Sequence, residues 1–176
     1  MSSYFYERPI EMDLPPLVIM GVSGTGKTLI GRRLAAELKL AFVDADDLHS
    51  PDNKAKMHAG VPLTDEDRWP WLRNVANELS ATPPPVVACS ALRRSYRDYL
   101  REQAPDTFFV HLTGDREIIV EHLARRSHEF MSPTLIDSQL ETLEALTVEE
   151  AHFLAPINLS PAEVCRYIME RLPFAD

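Results

Sequence analysis

The sequence predicts an α/β fold, a three-layer sandwich with a central parallel sheet and helices on both faces. Three observations carry it. Short apolar runs alternate with amphipathic stretches of about a dozen residues, the pattern of strand–helix–strand units. The first run, Leu17-Val18-Ile19-Met20, is apolar at every position, as a strand buried on both faces must be. Directly after it, "GVSGTGKT", Gly21 to Thr28, turns abruptly to glycine, lysine and threonine.

Each element follows in order. From Thr28 to about Lys39, Leu29, Ile30, Leu34, Ala35 and Leu38 recur at helical spacing. "AFVDADDL" reads as a second strand ending in carboxylates, and "DEDRWPWLRNVANELS" as a helix that begins acidic, as a helix N-terminus prefers. "PPPVVACSAL" is a prolyl entry into a third strand. "RRSYRDYLREQ" follows as a helix with Leu92, Tyr96, Tyr99 and Leu100 on one stripe. "TFFVHLTGD" is a fourth strand and "REIIVEHLARR" its helix. Residues 1–14 read as a disordered leader and 15–176 as a single domain, with no internal repeat.

Bulk properties narrow the class. Of 176 residues, 45% are apolar and 26% charged, ordinary for a soluble globular enzyme, and the net charge is −9. That acidity argues against nucleic acid as a partner. No apolar run approaches the roughly 20 residues of a membrane span, and the N-terminus lacks the pattern of a signal peptide. Cys89 and Cys165 are too few and too far apart for a disulfide scaffold, which points to a reducing, cytoplasmic location. His58, His111, His122 and His152 stand isolated, without zinc-ligand spacing.

"GVSGTGKT" fits the phosphate-loop pattern GxxxxGKT in its required place, after a strand and before a helix. Gly21, Gly24 and Gly26 allow close backbone approach, so the N–H groups of the loop, Ser23 and Thr25 included, can face phosphate oxygens. The helix N-terminus adds positive potential. Lys27 neutralises the β- and γ-phosphates, and the Thr28 hydroxyl ligates Mg²⁺. ATP and Mg²⁺ are the expected cofactors, and the fold is of the P-loop NTPase type.

Four further groups carry chemistry. Strand alternation places Asp44 and Asp46 on one side, facing the crevice at the strand's carboxyl end. One of them holds the metal through water and the other accepts the proton of an attacking hydroxyl; the bland alternative is that they cap the next helix. The third strand ends in Cys89 and Ser90 where motor and switch NTPases place an aspartate, which favours a small-molecule kinase that takes its acid from the second strand. Arg93 and Arg97, four apart, divide evenly between solvated surface and a bidentate clamp for a carboxylate. Arg125 and Arg126 are either a lid cation closing over the phosphates or a basic helix terminus. Trp69 and Trp71 read as packing.

In order, "MGVSGTGKT", "DADDLHSPDNKAKMHAGVPLTDEDRWPWL", "CSALRRSYRDYLR" and "FMSPTLIDSQLETLE" resemble the gluconate kinases of the shikimate-kinase-like P-loop group, from about Leu17 to Glu144. The second stretch is the specific one, matching at His49, Asn53, Lys56, Met57, Gly60, Pro62, Leu63, Asp65, Asp67, Arg68, Pro70 and Trp71. The resemblance implies ATP-dependent phosphorylation of D-gluconate at its 6-hydroxyl, a homodimer, and a mobile lid over about 125–138. It implies Thr28 and Asp44 at the metal, Asp46 as base or substrate anchor, and Arg126 as the lid arginine. His49, Arg68 and Arg97 are its candidates for the polyol and carboxylate, beside Arg93 from the spacing. The sequence departs from the family pattern at Ser50 (a proline there), Arg93 (a lysine) and Glu129 (a histidine). Other readings are a same-fold kinase for another sugar acid or shikimate-like substrate, and a nucleotide-binding regulatory module without turnover.

Overall fold

A computed structural model describes residues 13–125 and 133–174. Five strands, β1 (Leu17–Met20), β2 (Phe42–Asp44), β3 (Val86–Ala88), β4 (Phe108–Thr113) and β5 (His152–Pro156), form one parallel sheet in the order β2-β3-β1-β4-β5. Around it lie α1 (Lys27–Leu38), α2 (Pro51–His58), α3 (Asp65–Leu79), α4 (Arg94–Gln103), α5 (Arg116–Arg125), α6 (Pro133–Thr142) and α7 (Pro161–Met169). Among the described residues no helix is long and apolar enough to cross a membrane.

The uniform apolarity of β1 is explained by its place at the centre. Leu17 and Ile19 enter one core with Ile30 and Leu34 of α1 and Val164 and Ile168 of α7. Val18 and Met20 enter the other with Leu72 and Val75 of α3 and Leu100 of α4. Successive residues of a strand point to opposite faces, so four residues serve both cores and all are buried. The expected three layers are present.

The chain leaves β1 toward one edge to make β2, returns to β3, and crosses through α4 to β4 on the other side. Such a reversal opens a crevice at the carboxyl ends of the central strands. The turn after β1 needs glycine there: at Gly21 φ is +147°, and an added Cβ would lie 2.7 Å from the Leu112 carbonyl oxygen.

Two expectations are corrected by the backbone. The second strand ends at Asp44, and Ala45–Leu48 is a turn of 3₁₀ helix. Strand alternation therefore does not set the direction of Asp46. Leu92 precedes α4, whose buried residues are Tyr96, Arg97 and Leu100. β5 went unpredicted. As an edge strand with Leu154 exposed and Pro156 at its end, it lacks the continuous apolar signature of a buried strand. Residues 1–12 of the expected leader and 126–132 of the expected lid, with Arg126 and Glu129, lie outside the described residues.

Candidate active site

The phosphate loop joins β1 to α1, with Gly24 and Gly26 at φ +87° and +92°. Lys27 opens α1 and its Nζ donates to the Val22 carbonyl at 3.2 Å, which lays the side chain back along the loop. Thr28 Oγ1 donates to Asp44 Oδ2 at 2.9 Å. The other Asp44 oxygen accepts from the Asp46 N–H at 3.0 Å and caps the 3₁₀ turn. Asp44 thus caps the turn with one oxygen, as the bland reading has it, and meets the loop threonine with the other.

Lys27, Thr28, Asp44, Asp46 and Ser90 line one cavity of about 470 Å³. The 3₁₀ turn, rather than strand pleating, is what delivers Asp46 to it. Cys89 is also there, but burial pushes its thiol up to about 12, so it stays protonated and contributes only shape. A second cavity of about 600 Å³ lies across the loop, sharing Gly24, Gly26 and Leu29 with the first. Its far wall is Ile118, His122 and Arg125 of α5 with Asn158, Leu159 and Pro161 beyond β5. From the sequence only Arg125 is a site candidate among these; His122 stands there merely as an isolated histidine. The one available signal was "SPAE": Ser160 and Glu163 form a capping box that starts α7 and fixes the end of this loop.

α3 packs against the 3₁₀ turn that carries Asp46. Thr64 and Asp67 form a capping box at its start, and Lys56 holds Asp67 at 2.9 Å from α2. Trp71 is buried, donates its indole N–H to the Ala45 carbonyl at 2.7 Å, and stacks on His49 at 4.3 Å between centroids. Asn53 Nδ2 donates to the Asp67 carbonyl at 2.9 Å and lies 3.3 Å from His49 Nδ1. An amide nitrogen can only donate, so Nδ1 accepts and the ring proton sits on Nε2. Burial, then Arg68 and Lys54, lower the His49 pKa to about 4, so the imidazole is neutral at pH 7. Ser50, where the resembled family has proline, is the N-cap of α2 and accepts from the Asn53 N–H at 3.1 Å.

Two of the three expected arginines are brought together. Arg68 and Arg93 approach opposite oxygens of Asp65 at 3.7 and 3.9 Å, and both lie over the Tyr96 ring. Tyr96 donates its hydroxyl to Asp65 at 2.6 Å. Arg97 is the exception and a correction. It is fully buried, with Nε and Nη2 on Glu150 and further bonds to the carbonyls of Ala91, Leu92 and Glu144. A guanidinium satisfied on every side within the protein does not bind a substrate carboxylate; α4 turns it toward the core.

A phosphate loop, a carboxylate pair and a separate nucleoside-sized cavity on a five-stranded parallel sheet define a small-molecule kinase of the P-loop class. The shikimate kinase family model matches residues 23–172. The chain is 44% identical over 138 residues to the thermosensitive gluconokinase of Escherichia coli K12, covering 76% of this chain and 73% of that protein. It is similar to the crystal structure of a gluconokinase from Sinorhizobium meliloti 1021, with TM-score 0.81, 43% identity, and 87% and 89% of the two chains covered. The chain belongs to the shikimate kinase family and groups there with its gluconokinases. The shikimate kinase of Acinetobacter baumannii, solved with shikimate, shares the fold at TM-score 0.60 and 21% identity over 90% of this chain and 93% of that one.

Proposed function

We propose that the protein transfers the γ-phosphoryl group of ATP to the 6-hydroxyl of D-gluconate, giving 6-phosphogluconate and ADP. The observation that carries this reading is the Thr28–Asp44 contact in one cavity with Lys27 and Asp46, across the loop from a second cavity. The nucleoside lies in the second, against Ile118, His122 and Pro161, and its phosphates run along the loop. Lys27 and the loop N–H groups neutralise the charge spread over the transferring group, except those of Ser23 and Thr25, which against expectation are taken by Gln139 Oε1 and the Val22 carbonyl.

The hydroxyl oxygen attacks γ-phosphorus, the bond to the β-phosphate oxygen breaks, and ADP leaves. The hydroxyl proton passes to Asp46. A loose transition state asks little of that base, so placing the oxygen matters more than basicity. Arg68 and Arg93 take the carboxylate of the sugar acid, and neutral His49 gives its Nε2–H to a hydroxyl. Thr28 and Asp44 offer two hard oxygens 2.9 Å apart, a donor set suited to Mg²⁺, which keeps water and phosphate as its other ligands. Bound there, the ion would supply charge neutralisation at the phosphates.

ADP release with Mg-ATP, measured with D-gluconate beside shikimate, glucose and glycerate, tests the reading. Stimulation by gluconate alone is expected; stimulation by shikimate alone would move the substrate. The relatives described above at 43–44% identity are gluconokinases, which supports gluconate over shikimate. The resemblance also carries a homodimer and a lid over about 125–138, including Arg126, while the composition and chain organisation carry a cytoplasmic location and a single domain. Sedimentation velocity checks the dimer.

A further inference from the structure

The phosphate loop is gripped from outside by one side chain that the reaction has not yet used. Gln139, on α6, accepts the Ser23 N–H with Oε1 at 2.7 Å and donates from Nε2 to Ser23 Oγ at 3.0 Å. A single planar amide thus engages both polar groups of a residue 116 positions earlier. The amide orientation is determined, because a flipped amide would set its NH₂ against the Ser23 N–H, donor against donor.

Two features give this contact a consequence. Ser23 lines the cavity of Lys27, Thr28, Asp44 and Asp46 but not the cavity on the nucleoside side, so it marks the acceptor end of the loop. It also stands near Gly21 and Gly24, both at positive φ, where the backbone has little intrinsic preference to hold it. The arm that holds it is itself fixed. Ile136 is buried in the core at 1% exposure, and Asp137 takes both Nε and Nη2 of Arg116, at 2.5 and 2.9 Å.

We propose that Gln139 is a positioning residue for phosphoryl transfer, acting through Ser23 to fix the acceptor end of the phosphate loop against the terminal phosphoryl group. It restricts the loop before the substrate arrives, so that less order has to be found in the transition state. The proposal rests on the kinase reading above, but its decisive measurement needs no acceptor.

The test compares Gln139→Leu and Gln139→Glu with the wild type by calorimetry, using ADP and a non-hydrolysable ATP analogue with Mg²⁺, alongside kcat with gluconate. The leucine removes both bonds at similar size. The glutamate keeps both, since the Ser23 hydroxyl can turn to donate, and adds a negative charge at that end of the loop. For leucine, kcat falls about tenfold or more, the worth of one or two lost hydrogen bonds, while ADP affinity stays within about twofold. For glutamate, the analogue weakens by about fivefold or more relative to ADP, by charge repulsion at the terminal phosphoryl. An unchanged analogue-to-ADP ratio in the glutamate variant overturns the proposal, as does a leucine variant with wild-type kcat, or one that loses both nucleotides equally. If the wild type ignores gluconate, the substrate assignment fails, and the affinity ratio still decides the role of Gln139.

Discussion

Arg97 Nε meets Glu150 Oε1 at 2.7 Å, with neither side chain exposed to solvent. The pair joins α4 to the turn before β5, and Arg101 adds a second guanidinium to the same carboxylate at 2.9 Å. Burial alone would raise the Glu150 pKa; hydrogen bonds from Arg97, the Thr147 N–H and Arg101 outweigh it and hold the group at about 2. Removing one partner leaves a buried charge unmatched. Glu150→Ala is expected to lower the unfolding free energy by about 3–5 kcal/mol, read from urea denaturation. The folded fraction should keep its KM for gluconate. A raised KM without lost stability would return Arg97 to the substrate site.

Lys27→Ala should cut kcat by about a hundredfold or more, because it removes the charge set against the β- and γ-oxygens. Near-normal turnover would overturn the phosphate-loop assignment. Asp46→Asn should lower kcat strongly with ATP affinity held within about twofold, since its partner is the acceptor hydroxyl. Equal loss of both would place Asp46 on the metal.

The Asp65–Tyr96 hydrogen bond holds the carboxylate that both Arg68 and Arg93 approach. Tyr96→Phe deletes only the hydroxyl and keeps the ring beneath the two guanidinium groups. It should raise KM for gluconate about tenfold, with ATP affinity unchanged, as expected for the loss of one charge-assisted contact. Arg68→Lys should do the same by breaking the planar fork. Steady-state kinetics with gluconate varied at saturating ATP reads both.

Acid should weaken the fold earlier than its carboxylates require. His49 and His111 are lowered from 6.5 to about 4, each chiefly by burial, with Arg68 and Lys54 adding at His49 and Arg97 and His152 at His111. A histidine with a depressed folded-state pKa is protonated more readily in the unfolded chain. Its contribution is complete above about pH 6.5 and is lost as pH falls toward 4. Glu150 acts lower, from its ordinary 4.5 down to about 2. Melting temperature should therefore already decline between pH 6.5 and 5, and His111→Asn should flatten that slope. A slope identical to the wild type would assign the decline elsewhere.

Much of this is legible before folding, for identifiable reasons. Leu17–Met20 announces a central strand because both of its faces are buried, and the glycines and Lys27 announce the loop because phosphate binding demands backbone approach. Asp44 and Asp46 are recognisable as a pair, but their geometry is not: local hydrogen bonding by Asp44 ends the strand there and substitutes a 3₁₀ turn for its continuation to Asp46. Arg97 misleads because a buried, fully bonded arginine and a ligand-binding one look alike in one dimension. Its partner Glu150 lies 53 residues away, beyond the reach of periodicity. The cavity wall beyond β5 runs from a loop into the start of α7, with Asn158 and Ser160 among apolar neighbours and no motif that spacing could reveal.

The stack of Trp71 on His49 gives the protein an optical consequence. The chain has two tryptophans, and they differ: Trp71 is buried at 7% exposure, while Trp69 stands at 36% beside Tyr96 and Tyr99. An indole in face contact with an imidazole, and hydrogen-bonded to the residue just before Asp46, emits into surroundings that a polyol bound as proposed would alter. With Trp69 silenced by a quencher in the solvent, the remaining emission becomes a built-in readout of acceptor occupancy. Binding can then be followed without a label, and separately from turnover.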